Sequence, residues 1–271
     1  TGQTEADLKA TMRPDAQRRV KGSLVLDAVI KAENIEITDE KLDEEIAKMA
    51  EAYKMEVEKL KELYEKILSQ ENVIGLNIAT RPDAISNECL DYLEELNKKT
   101  YLTIELGLQT TNEKTSKLIN RCHTLTCFEE MVSKLRERNI DVVVHIINGL
   151  PYETKEDMLN TIKYLNKLDI QGIKIHMLSI LKDTPLEKLY EKEHFKMLTK
   201  EEYIDIVINQ LELLRPEIVI HRITGDPKID DLVEPNWLIK KFGVLNDIDK
   251  EMVKRDTYQG KKTKWKYLIT T

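Results

Sequence analysis

The chain has 271 residues, 41% of them hydrophobic and 34% charged, enough for one large domain or for a medium domain with a small one attached. Its net charge of −7, with both signs interspersed, argues against a nucleic-acid binder, because affinity for a phosphate backbone comes from clustered Lys and Arg. There is no run of about eighteen apolar residues and no charged-then-apolar leader, which predicts neither a membrane span nor a signal peptide. Three unevenly placed cysteines fit the reduced thiols of a cytoplasmic protein better than a disulfide framework.

Residues 1 to about 68 read as helices. Val20, Leu24 and Ala28 form one apolar stripe; Leu42, Ile46, Met49 and Tyr53 form another, continued by Val57, Leu60 and Tyr64. Pro14 suits a first helical turn, and Thr38 followed by Asp39 and Glu40 reads as an N-cap with acidic residues placed to favour the helix dipole. The stripes give either a plain helical layer or an interaction surface.

From Val73 the pattern changes to short β-rich runs: VIGLNIAT, YLTIELGLQ, IDVVVHIING, IQGIKIHMLSI and a weaker EIVIHRITGD. Helix starts lie between them, at Ser86, Thr126 with Glu129, Thr154 with Asp157, and Thr199 with Glu202, the last three in capping-box spacing. Strands and helices alternating at intervals of about thirty residues predict right-handed βαβ units and a parallel α/β sheet. Ligands bind beyond the carboxyl ends of such strands. The residues there are polar: Thr80 and Arg81; Glu105, Gly107 and Gln109; His145, Asn148 and Gly149; His176 and Ser179; His221, Arg222 and Asp226. A full (β/α)8 barrel has eight strands in about 250 residues, so roughly half a barrel is expected.

The stretch INRCHTLTC, residues 119–127, offers two cysteines and a histidine, but C-x4-C without further partners falls short of the three or four ligands of a zinc or iron–sulfur site. Thr124 and Thr126 instead suggest a turn that places Cys127 in the first turn of the next helix. Gly149-Leu150-Pro151 reads as a strand-to-helix turn or as a close ligand contact. Glu105, between Ile104 and Leu106, is a carboxylate that must find a partner if buried.

Five segments, GLNIATRPD (75–83), ELGLQTTNEKTSKLINRCHT (105–124), HIINGLPYETKEDM (145–158), IKIHMLSILKDTPL (173–186) and HRITGD (221–226), together resemble the radical S-adenosylmethionine (SAM) superfamily, in the branch with an Elongator-type core. The resemblance covers roughly residues 62–260. It implies that Glu105 and Gln109 contact the amino group or ribose of SAM, that Arg121 pairs with its carboxylate, that Ile147, Asn148 and Gly149 lie against adenine, and that Ser179 to Leu181 add a further backbone contact. The superfamily's [4Fe–4S] cluster needs C-x3-C-x2-C, which is absent here, and the two first barrel strands have no counterpart. The cluster is therefore expected only in an intact parent enzyme.

Residues 1–62, with MRPDAQRRVKGSLVLDAVIKAENI and LDEEIAKMAEAY, resemble the C-terminal substrate-cradling domain of trigger factor, which implies unfolded-protein clients as partners. The expectation is thus a chimera: a helical segment over residues 1–62, and a partial (β/α) barrel of parallel strands with outer helices and a C-terminal helical extension over residues 63–271. SAM is the expected small-molecule ligand, and the chain as it stands is expected to be inactive in radical chemistry. Two other functions fit the sequence, a chaperone-type binding module and a SAM-binding module without radical chemistry.

Overall fold

The computed structural model describes residues 61–70 and 72–263. The chain divides into two compact units, residues 1–66 and 67–271. Of the first unit, residues 61–66 are described and are helical. The stripe expected at Leu42, Ile46, Met49 and Tyr53, and the caps expected at Pro14 and Thr38, lie outside the described residues.

The second unit runs β1 (Gly75–Thr80), α1 (Asn87–Lys99), β2 (Tyr101–Gln109), α2 (Glu113–Leu118), α3 (Leu125–Glu137), β3 (Asp141–Asn148), α4 (Lys155–Leu165), β4 (Gly172–Met177), β5 (Ile180–Leu181), α5 (Pro185–Glu193), α6 (Lys200–Leu213), β6 (Val219–Arg222), β7 (Leu232–Glu234) and α7 (Lys241–Lys254). One sheet takes the order β1-β2-β3-β4-β6, and every neighbouring pair is parallel. An order that follows the chain without reversal is that of a (β/α) barrel segment, not of a doubly wound sheet. The five strands start within two residues of the expected runs. The strand expected to continue to Ile180 stops at Met177, and Ile180–Leu181 pairs instead with β7 in an antiparallel ribbon.

Alternation assigns the two faces of the sheet. Leu102, Ile104, Leu106 and Leu108 of β2, Val142, Val144 and Ile146 of β3, and Ile173 and Ile175 of β4 are all buried. Right-handed crossovers put the helices on this face. Their own buried stripes are Leu90, Leu93 and Leu96 of α1, Phe128, Met131, Val132 and Leu135 of α3, and Met158, Ile162 and Leu165 of α4. Each such side chain contributes about 1.5–3 kcal/mol when fully buried. Along α6 the buried positions form no single stripe, because α4 and α7 both pack on that helix.

Local signals set the helix starts. Ser86 caps α1 through the Cys89 amide, and Thr154 and Thr199 make complete capping boxes with Asp157 and Glu202. The start expected at Thr126 falls two residues earlier: Thr124 is extended, its hydroxyl accepts from the Cys127 amide, and Thr126 lies within α3. A cap needs extended backbone, and only Thr124 has it. Among the described residues no helix is long and apolar enough to cross a membrane.

Candidate functional site

The opposite face of the sheet carries the odd-numbered residues of β2 and β3 and the even-numbered residues of β4, and it is polar. Glu105, midway along β2 and 7% exposed, receives Lys174 Nζ at 2.6 Å on both oxygens and His145 Nε2 at 2.9 Å. Burial alone would raise this carboxyl's pKa, but the bonds from Lys174 and then His145 outweigh it and hold it below the usual range. The His145 and His176 rings stack with centroids 5.2 Å apart. Burial depresses His145 despite its bond to Glu105. His176 is pushed down to about 4, by burial first and then by His145, Arg222 and Lys174. Both imidazoles are therefore neutral near pH 7, and His176 Nε2 is buried with no hydrogen-bond partner among the described residues.

At the carboxyl ends of the strands lie two cavities. The larger, about 540 Å³, is lined by Gln109, Arg121, His123 and Ile147, with Arg81 from the end of β1 and an apolar wall that includes Leu186 and Leu189 of α5. The smaller, about 360 Å³, is lined by His145, His176, Ser179, Leu181 and Asp226. Gln109, Ile147 and Leu178 line both. Gln109 reaches this position because β2 shifts register after Gly107 and Gln109 itself takes a left-handed φ of 67°. A Cβ on Gly107 would stand 2.7 Å from Gln109 Nε2, so the glycine lets that amide fold back over the strand.

The candidate residues thus separate. Gln109, Arg121 and Ile147 meet at the larger cavity, and Ser179 and Leu181 at the smaller one. Glu105 sits below the rim in its ion cluster. Asn148 is 1% exposed on the helix-facing side, where its amide and that of Gln210 exchange two hydrogen bonds of 2.8 Å. Gly149, at φ 81°, lines a third cavity of about 450 Å³ with Glu153, Met158 and Phe195.

Arg121 is held tightly. Its Nε donates to the His123 carbonyl at 3.0 Å, Nη1 to the carbonyls of Thr110 at 2.7 Å and Leu108 at 3.4 Å, and Nη2 to Glu113 at 3.2 Å. His123 Nε2 lies 3.0 Å from the Gly107 carbonyl. These bonds staple the loop after β2 to the strand end. Arg81, which the sequence marks as a strand-end residue without assigning it a ligand contact, and His123 also line the larger cavity.

Comparison with known proteins finds similarities for both parts. The Radical SAM superfamily profile matches residues 50–165, the Radical_SAM C-terminal domain profile residues 170–254, and that of the bacterial trigger factor (TF) C-terminus residues 1–78. In this chain a segment that matches the trigger factor profile is followed by segments that match the two radical SAM profiles. Over 205 residues it is 49% identical to the uncharacterized protein YtqA of Bacillus subtilis, covering 76% of this chain and 64% of that relative. The chain therefore spans less than two thirds of the relative's length. It is 57% identical over 63 residues to trigger factor of Geobacillus kaustophilus, covering 23% of this chain and 15% of that protein. Among solved structures, archaeal Methanocaldococcus infernus Elp3 superposes with a TM-score of 0.60 at 21% identity, over 69% of this chain and 43% of that one, a likeness of fold.

Radical SAM enzymes use SAM with a [4Fe–4S] cluster. The cysteines of this chain do not fit a cluster of three thiolates. Cys89, Cys122 and Cys127 are free, and none belongs to a C-x3-C-x2-C run. Cys122 Sγ donates to the Asn120 carbonyl at 2.9 Å. Burial pushes the Cys127 thiol's pKa up, against the thiolate a metal requires.

Proposed function

We propose that residues 63–271 are the SAM-contacting C-terminal part of a radical SAM core, which binds SAM at the strand ends and does not cleave it reductively. The observation that carries this reading is the larger cavity, where Gln109, Arg121 and Ile147, drawn from β2, the loop after α2 and β3, line one space of about 540 Å³ beyond the carboxyl ends of parallel strands. A volume of this size, mostly apolar with a few convergent polar groups, suits a small ligand of this kind. Ser179 and Leu181 on the adjoining cavity extend the contact surface in the direction expected for adenine. Without three thiolates there is no cluster to deliver an electron, so the residues bind and orient SAM without carrying its chemistry further.

Calorimetric titration with SAM, followed by anaerobic reconstitution with iron and sulfide and an assay for 5′-deoxyadenosine, tests both halves. The expected result is one SAM per chain and no 5′-deoxyadenosine. A stoichiometric cluster with turnover refutes the loss of radical chemistry, and absence of SAM binding refutes the ligand.

A second role belongs to residues 1–62, on the match to the trigger factor C-terminus. These residues hold unfolded clients through the Leu42, Ile46, Met49 and Tyr53 stripe. Suppression of aggregation of an unfolded client by the full chain, lost when these four become Ser, is the expected outcome; equal suppression by both proteins refutes it.

A further inference from the structure

Glu153 stands where two loops meet. It lies in the turn between β3 and α4, and its carboxyl reaches across to the loop that follows β2. Three side-chain bonds tie that loop to the turn and to α4. The Thr110 hydroxyl donates to Glu153 Oε1, the Thr111 amide to Thr161 Oγ1 at 3.2 Å, and Asn112 Nδ2 to Asp157 Oδ1 at 3.3 Å. The Thr110 hydroxyl also accepts from the Asn112 amide at 3.0 Å, and Asn112 in turn caps α2. Thr110 presents its carbonyl to Arg121 Nη1 at 2.7 Å, and Gln109 precedes it directly. Arg121 and Gln109 both line the larger cavity. A short bonded path thus runs from Glu153 to that cavity's wall.

Such a path couples nothing unless one group on it has two states. The Glu153 carboxyl has them. Its Oε2 is buried with no hydrogen-bond partner among the described residues, a place that suits a protonated carboxyl and leaves an ionised one unsolvated. The charges around it give no relief. Asp157 of α4 disfavours ionisation, and Glu113 of α2 is engaged with Arg121. Across the third cavity Lys155 pairs with Asp205, and Lys196 with Glu202. Burial, against the lowering bonds from Thr110 and Thr115, raises the Glu153 carboxyl to about 7. Glu153 also lines the third cavity, and its 450 Å³ leave room for the water an ionised carboxyl needs. Turning into that space breaks the bond to Thr110.

We propose that Glu153 is a proton-controlled positioning residue for the larger cavity: protonated, it holds the loop after β2 against α4, and ionised, it turns into the third cavity and releases that loop. The effect on a ligand rests on the reading of the larger cavity as a SAM site; the release of the loop does not.

The test is hydrogen exchange of the full chain and of Glu153→Gln from pH 5 to 8.5, corrected for the intrinsic pH dependence of exchange. It is read for residues 111–115 in the loop and for residues 142–146 of β3, with SAM titrated over the same range. An opening that returns the carboxyl from about 7 to its ordinary 4.5 gains about 10-fold between pH 6 and 8 and levels off above. Loop protection in the parent should fall by about that factor while β3 holds, and in Glu153→Gln it should stay flat. SAM affinity of the parent should fall by about 10-fold over the same interval relative to the variant, as the holding form is depopulated. Comparison with the variant cancels any titration of SAM itself. A flat loop profile in the parent, or an equal fall in Glu153→Gln, overturns the proposal. A loop that opens with no change in SAM affinity overturns its link to the cavity while the SAM site stands. If the parent binds no SAM at any pH, the site reading fails, and loop exchange alone upholds or overturns the release.

Discussion

Glu153 gives a sharp test of how burial and charge are balanced in this fold. Its Oε1 accepts from the Thr110 hydroxyl, while Oε2 is buried with no partner among the described residues. Burial raises its pKa from 4.5 to about 7, against the lowering bonds from Thr110 and Thr115. The folded chain therefore keeps a proton that the unfolded chain releases above pH 4.5. Stability conferred by that proton is complete at low pH and is lost as pH rises toward 7. A shift of about 2.5 units at about 1.4 kcal/mol each gives about 3 kcal/mol, and about 2–3 kcal/mol once partial exposure is allowed for. Glu153→Gln keeps the shape and the acceptor and removes the titration. Urea unfolding of both proteins from pH 4.5 to 8 should show the variant gaining on the parent by about 2–3 kcal/mol across the range, with no further gain above pH 8. Taking the difference cancels the histidines, whose depressed values act in the opposite sense. A difference that stays constant within about 0.5 kcal/mol from pH 5 to 8 would refute the reasoning.

Arg121→Met should destabilise the fold by about 2–4 kcal/mol, because it strips donors from the Thr110 and His123 carbonyls, whereas Arg81→Gln should cost less than about 0.5 kcal/mol; equal urea midpoints for the two would contradict this. Asn148→Ala should cost about 2 kcal/mol, since it removes the donor to the buried Gln210 Oε1 and leaves Nε2 only the Met158 carbonyl, and a double-mutant cycle with Gln210→Ala should show a coupling of about 1–3 kcal/mol; strict additivity would count against the reciprocal pair. Gly149→Ala should lower stability by about 1–3 kcal/mol, as its φ of 81° is strained for any side chain and the new Cβ would meet Met177 Cε at 3.0 Å; an unchanged thermal midpoint would be inconsistent with that backbone.

What the sequence by itself determined is whatever depends on near neighbours. Period-two alternation in YLTIELGLQ and IDVVVHIING placed both strands and, read strictly, already put Asn148 on the face of Val144 and Ile146, away from His145 and Ile147. Capping chemistry fixed the starts of α1, α4 and α6, and the paired threonines before α3 blurred its start because either could cap and only backbone conformation chooses. Tertiary structure decided which polar groups spend their bonding capacity on the protein itself. Arg121 and Gln109 both lie in segments that a radical SAM resemblance marks for the ligand, yet Arg121 meets carbonyls 11 and 13 residues earlier in the chain, and that depends on how the loop folds back. Arg81 becomes relevant only because parallel pairing sets the end of β1 beside β2. The same holds for Glu105, whose partners Lys174 and His145 stand 69 and 40 residues away and reach it across three adjacent strands. Periodicity tells which side of a sheet a residue faces; how far a buried charge is neutralised depends on side chains that only the assembled sheet brings within about 3 Å.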